Sequence, residues 1–259
     1  MIQKSKKQIS ENTKEQQSFP PIWRLKLSDI KFEDSANKLL DSESEDSPSL
    51  TNKAYASIKR KLLYCEYMPG LMLNEKQLDE SNNFGRTPVH ESILLLKQEG
   101  LINIFPRKGM QATPISSSEV KDCLEMRRII EQNFIVEGKS LYPKDNLIRL
   151  NMEFDDIIYN LSPIEILERD KMFFLYLSCS SNNSTLRLFY KDLLDKSFRA
   201  SVFLNKKKAL NLSSLVKRNH EIIQAILNED SDIIRQVISK EQNQIILEFV
   251  QALMETADL

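Results

Sequence analysis

The run Arg86-Thr87-Pro88-Val89-His90 sets a guanidinium, a hydroxyl and an imidazole within one helical turn. Thr87 as cap and Pro88 at the first helical position predict that a helix begins there. A helix start carries unpaired backbone N–H groups and partial positive charge, so it suits a phosphate oxygen. His90 lies one turn beyond Arg86 and can face the same groove. A second cationic cluster, Arg107 and Lys108 with Gly109, sits on the turn Pro106–Gly109 between two β-prone runs, Leu101–Phe105 and Met110–Thr113. Lys76 is a further cation on a short helix predicted near Asn74–Ser81. Together Lys76, Arg86, Thr87, His90, Arg107, Lys108 and Gly109 offer phosphate contacts and base-edge hydrogen bonds, the chemistry of a duplex DNA reader. The competing reading of each cation is a solvated surface charge.

The elements that must position these groups follow from apolar spacing and breakers. Ala54, Ile58 and Leu62 recur every four residues and define one face of a first helix. Pro69-Gly70 makes a turn, Leu78 anchors the second helix, and Asn82–Gly85 is a second turn. Val89, Ile93 and Leu96 give the third helix its buried face, and Gly100 stops it. A hairpin with a basic tip follows. Three helices and a hairpin are the outline of a winged helix-turn-helix over residues 51–114. After Pro163 the chain has neither Gly nor Pro, so residues 115–259 read as an antiparallel helical bundle. The fold class is mainly α.

Residues 1–50 are rich in Ser, Lys, Glu, Asn and Gln, and read as a disordered tail. Within it, Phe19-Pro20-Pro21-Ile22-Trp23 carries the single Trp and offers a docking segment. The whole chain has 259 residues, 36 Lys+Arg against 37 Asp+Glu, 3 Cys and 2 His. Three scattered cysteines suit a reducing compartment and make no disulfide framework. No apolar run is long enough to span a membrane and no signal peptide opens the chain, so a cytoplasmic protein is expected. With no nucleophile motif and no phosphate loop, an enzyme is not expected.

Residues 69–112 resemble the DNA-binding domain of the GntR family of bacterial transcription regulators. The resemblance rests on Pro69-Gly70, Leu73, Glu75, Leu78, Arg86-Thr87-Pro88-Val89, Glu91, Leu96, Glu99-Gly100-Leu101 and Pro106–Gly109. Ser118-Glu119-Val120, Met126-Arg127, Glu131, Asp170, Phe173, Asn183, Leu186, Ala225-Ile226 and Asp230 are similar to the helical FCD effector domain of the FadR-like subfamily. The resemblance implies a homodimer on a near-palindromic operator, acting as a repressor or activator, with a small-molecule effector such as an organic acid in the helical domain. The family usually has Ser where Gly85 stands and Arg where His90 stands, which removes a hydroxyl and a permanent cation.

Many relatives of the FCD type hold a divalent metal through an Asp, a His four residues later, and two further His. Asp170 fits the first position, but the others fall on Phe174, Asn219 and Glu241. His220 lies one residue from Asn219, about 100° around a helix. No metal or other cofactor is therefore expected, although Asp170, Asn219 and Glu241 are oxygen donors that suit a harder ion or a ligand. If Phe174 fills the space, a buried Asp170 needs a partner, for which Arg127 and Arg199 are candidates. The same two arginines could instead clamp a ligand carboxylate. Asn183 reads as a helix cap and Lys206-Lys207-Lys208 as a solvated loop. The alternative function is a DNA-binding regulator or interaction scaffold that has lost effector and metal binding.

Overall fold

The computed structural model describes residues 49–80 and 84–257. The tail reading of residues 1–50, with its Trp23 segment, falls almost wholly outside them. Helix α1 (Leu50–Leu63) is capped by Ser49, whose hydroxyl accepts the Asn52 N–H at 3.1 Å. Its predicted face, Ala54, Ile58 and Leu62, is fully buried. That face packs on α3 (Arg86–Gln98) through Val89, Ile93 and Leu96. Between them, α2 (Glu75–Glu80) buries Leu78 against the same core.

The hairpin strands are β2 (Ile102–Phe105) and β3 (Gly109–Ala112), paired antiparallel with Phe105 opposite Gly109. A third strand, β1 (Met72–Leu73), lines the other edge of β3, giving the order β1-β3-β2. Two residues are too few to show alternation, so β1 was not predicted. It exists because the Pro69-Gly70 turn delivers the chain to β3: the Gly70 N–H donates to the Ala112 carbonyl at 2.8 Å.

The second half is all helix: α4 (Ser117–Gly138), α5 (Lys144–Asn160), α6 (Pro163–Ser178), α7 (Ser184–Lys206), α8 (Leu212–Leu227) and α9 (Ser231–Ala257). Local chemistry sets the starts. Ser162 and Glu165 form a reciprocal capping box before α6, with Pro163 in the first turn. Asn183 and Asn211 cap α7 and α8 through their side-chain oxygens. Helix α4 packs on α9 and α7, and α5 on α8. The one glycine in this half, Gly138, faces Ser180 so closely that an added Cβ would lie 2.2 Å from the Ser180 Cβ. Here glycine allows a close approach rather than a turn.

One hydrophobic core runs from the winged helix into the bundle. Ile58, Leu62 and Ile102 share it with Phe198, Val202, Phe249 and Leu253 of α7 and α9. A second core, built on Phe134, Phe173, Phe174, Tyr190 and Ile222, fills the rest of the bundle. The polar joint between the halves is equally close. Lys59 of α1 bridges Glu99 at 2.7 Å and Asp195 of α7 at 3.0 Å, and the Tyr64 hydroxyl donates to Glu168 of α6. Lys206, expected in a solvated loop, belongs to the last turn of α7 and donates to the Cys65 carbonyl at 2.9 Å.

Candidate nucleic-acid interface and bundle centre

The predicted DNA-facing residues lie on one exposed set of elements. Arg86 and Thr87 are exposed at the start of α3, Lys76 is exposed on α2, and Arg107, Lys108 and Gly109 are exposed at the hairpin tip. The start of α3 differs from the sequence reading. Gly85, not Thr87, occupies the capping position, with φ +91° and ψ 156° and no side-chain hydrogen bond. Thr87 and Pro88 belong to the first turn, where the missing Pro N–H leaves no helical bond unmade. The Gly85 N–H is held by Asp79 at 2.8 Å, and the first N–H groups of the helix itself stay available to an anion.

His90 is half exposed, but it is not a lone groove-facing base. Its Nδ1 lies 3.0 Å from Oε1 of Glu75, across from α2. Sequence reasoning did not pair them, because they are far apart along the chain and meet only through helix packing. Glu91 is likewise occupied, accepting the Thr51 hydroxyl at 2.7 Å. At the hairpin tip Arg107 has φ +62°, so the turn itself aims its side chain. The Lys108 N–H closes that turn onto the Phe105 carbonyl at 3.0 Å.

In the bundle, Asp170 meets neither of the arginines proposed for it. Its Oδ1 accepts from the Arg218 guanidinium and from Asn219 Nδ2 at 2.9 Å. Arg218 also donates through Nε to Asn219 Oδ1 at 3.2 Å. Arg127 lies one α4 turn before Glu131 and pairs with it at 2.9 Å, while donating to the Ser197 hydroxyl at 2.8 Å. Glu131 is completely buried and also accepts from Tyr190 at 2.6 Å and from Gln242. Burial raises the Tyr190 phenol well above its ordinary range, and Glu131 beside it adds to this, so Tyr190 stays a donor. Arg199 reaches the Thr113 carbonyl instead of Asp170. Glu241 pairs with its neighbour Lys240 at 3.0 Å.

These contacts test whether the metal of the FCD pattern fits. Phe174 is fully buried, with Arg218 Cζ 4.7 Å and Arg127 Cζ 4.9 Å from its ring centre. Asn219 directs its oxygen at the Arg218 guanidinium, and His220 turns away to Asn151 at 3.0 Å on α5. A divalent ion beside Asp170 would meet an aromatic ring and a guanidinium already bound to the available oxygens. The residues do not fit a metal ion. Among the described residues no group of three or more His, Cys, Asp or Glu could hold one elsewhere.

Sequence reasoning gave no role to Arg218, Tyr190, Gln242, Lys171 or Asp195, and named Glu131 only as part of the FCD resemblance. The Arg127–Glu131 spacing of four was a readable signal for one pair. Nothing in the chain announces Lys171–Asp195, which joins α6 to α7 and is entirely buried. Burial alone would push the Asp195 carboxyl up. Lys171 and Lys59 beside it outweigh that and hold it well below the usual carboxylate range.

Comparison with known proteins agrees with this architecture. Residues 50–111 match the model of the bacterial regulatory proteins of the gntR family. An HTH-type transcriptional regulator in an unstable DNA locus of Streptomyces ambofaciens is 28% identical over 70% of this chain and 77% of its own. The HTH-type transcriptional repressor RspR of Escherichia coli K12 is 32% identical, over 32% of this chain and 36% of its own. Among solved structures, Escherichia coli McbR/YncC has a TM-score of 0.61 at 20% identity, covering 79% of this chain and 99% of its own. A GntR regulator from Rhodococcus sp. RHA1 has a TM-score of 0.66 at 14% identity, covering 78% and 98%. Those two show the fold, a winged helix joined to a helical domain, and the matched segment contains every residue of the exposed cationic set. Residues 50–111 thus form a winged-helix domain of the gntR type, joined to a helical domain.

Proposed function

We propose that the chain is a DNA-binding transcriptional regulator of the gntR type, that it binds a near-palindromic operator as a homodimer in the cytoplasm, and that a small organic acid controls it through the helical domain. The observation that carries the DNA reading is the open first turn of α3. Its buried face is fixed by Val89, Ile93 and Leu96, while Arg86 and Thr87 project from the turn into solvent. Arg107 and Lys108 on the hairpin and Lys76 on α2 supply backbone contacts beside it. A two-fold dimer would set the spacing of half-sites by its own symmetry. The order of helices α4–α9, with Asp170 on α6 and Asn219 on α8, supports an FCD-type domain of the FadR-like subfamily. Unlike many such domains, this one works without a resident divalent metal.

A second reading, a regulator or scaffold with no effector, is favoured by Phe174, which fills the bundle centre. Thermal shift separates the two, because a ligand that binds only the folded state must raise its stability.

The DNA reading is tested by selecting duplexes from a random pool at moderate salt. The wild-type chain should enrich an inverted repeat, with affinity falling steeply as salt rises. Arg86→Ala should weaken that site by about 5- to 150-fold, the range for a base or phosphate contact of ~1–3 kcal/mol. Enrichment of the same repeat by Arg86→Ala at unchanged affinity would remove α3 as the reading helix.

A further inference from the structure

Five cationic side chains are buried among the described residues: Lys59, Arg127, Lys171, Arg199 and Arg218. Four of them meet a carboxylate, at Glu99 and Asp195, at Glu131, at Asp195 and at Asp170. Arg199 does not. Its hydrogen bond goes to the Thr113 carbonyl, and its Nε has no acceptor. It is 5% exposed, so water cannot substitute freely for the absent partner. Burial pushes its affinity for a proton down, and Cys65 and Glu119 nearby only partly restore it.

Arg199 lies on the wall of a cleft of about 360 Å³ where the winged helix meets the bundle. The volume is within the range of small-molecule sites. Leu101 closes it from the winged helix, Val120 and Met126 from α4, and Leu193 from α7. Thr113, which links the two halves, contributes a hydroxyl that also has no partner. An apolar body between these walls would place an anionic end beside Arg199; the Arg199 Nε and the Thr113 hydroxyl are enclosed, so pairing with them includes a shift of the Arg199 side chain toward the cleft. Glu119 and Asp122 at the same cleft balance its two cations, Lys196 and Arg199, so the lining offers no surplus positive charge to a second negative charge on the occupant.

We propose that this cleft binds a small monocarboxylate with an apolar body, its carboxylate paired with Arg199 and within reach of the Thr113 hydroxyl. A guanidinium edge takes a carboxylate bidentately, and this pairing would give Arg199 what the other four cations already have. The proposal deepens the effector reading above: it places the effector at the joint between DNA head and bundle, instead of at the bundle centre around Asp170.

The test uses no DNA, so its failure leaves the operator reading standing. The full chain is melted with acetate, isovalerate, phenylacetate and benzoate, each against its neutral amide. One or more of the larger acids should raise Tm by about 3 °C near tenfold excess over Kd, while the amides do not. Arg199→Gln should abolish the rise. Met126→Trp, at a half-exposed wall position, should fill the cleft and abolish it with the Arg199 site intact. Should Arg199→Gln not fold, Met126→Trp decides. No rise with any acid, an equal rise with the amides, or a full rise in Met126→Trp overturns the proposal.

Discussion

At the scale of single residues, the cap of α3 changes how a family difference is understood. Relatives that carry Ser at the position of Gly85 hold a hydroxyl there, so restoring it looks like a gain of one phosphate contact. The backbone argues otherwise. Gly85 sits at φ +91° with ψ 156°, a region open essentially to glycine alone. Gly85→Ser is therefore expected to lower stability by about 1–3 kcal/mol, read as a fall in Tm, and to leave operator affinity unimproved. An unchanged Tm with tighter DNA binding would show that the cap relaxes freely. From residue type, Gly85 reads only as a missing hydroxyl, because a torsion angle is not written there. The exposed place of Arg86 at the start of α3, by contrast, was legible from its position before the Thr-Pro pair.

At the scale of elements, the helices were readable and their partnerships were not. Apolar spacing located α1 and α3 and their buried faces, and Asn183 was recognisable as a cap. The start of α3 was off by two residues, since a Thr-Pro pair fits either the cap or the first turn. In the bundle, Asp170 was identified as a residue needing a partner, but Arg218 on α8 supplies it and Arg127 is committed to Glu131. Which helix face meets which depends on packing across six helices, and a one-dimensional pattern does not encode that. The consequence for metal is concrete. With α6 and α8 joined by Asp170, Arg218 and Asn219, extensive dialysis against a chelator should leave Tm unchanged. Added Zn²⁺ or Mn²⁺ should not raise it. A metal-dependent rise of several degrees would mean that Arg218 yields its place to an ion.

At the scale of the molecule, the two halves share a core and an ionic joint. Asp195 is the centre of that joint, facing Lys171 of α6 and Lys59 of α1. Its carboxyl titrates below the usual range near 3.9. The contribution of its ionised form is thus complete above that value and is lost as pH falls below about 4. Wild-type Tm should therefore fall more steeply between about pH 5 and 3 than that of Asp195→Asn. At neutral pH, Asp195→Ala removes the carboxylate facing buried Lys171, while Lys59 keeps Glu99, and should cost about 3–5 kcal/mol. Parallel acid profiles for the two proteins would show that the joint does not depend on this charge.

The arrangement around Lys59 has a mechanical consequence. Its ammonium touches a carboxylate on each side of the joint, Glu99 within the head and Asp195 within the bundle. Were the head to swing away, Asp195 would keep Lys171, and Lys59 would keep Glu99 and the Tyr55 hydroxyl at 3.0 Å. Neither face would be left holding a stranded charge. The ionic side of the joint adds little resistance to such a separation, so the grip of head on bundle rests on the hydrophobic core they share.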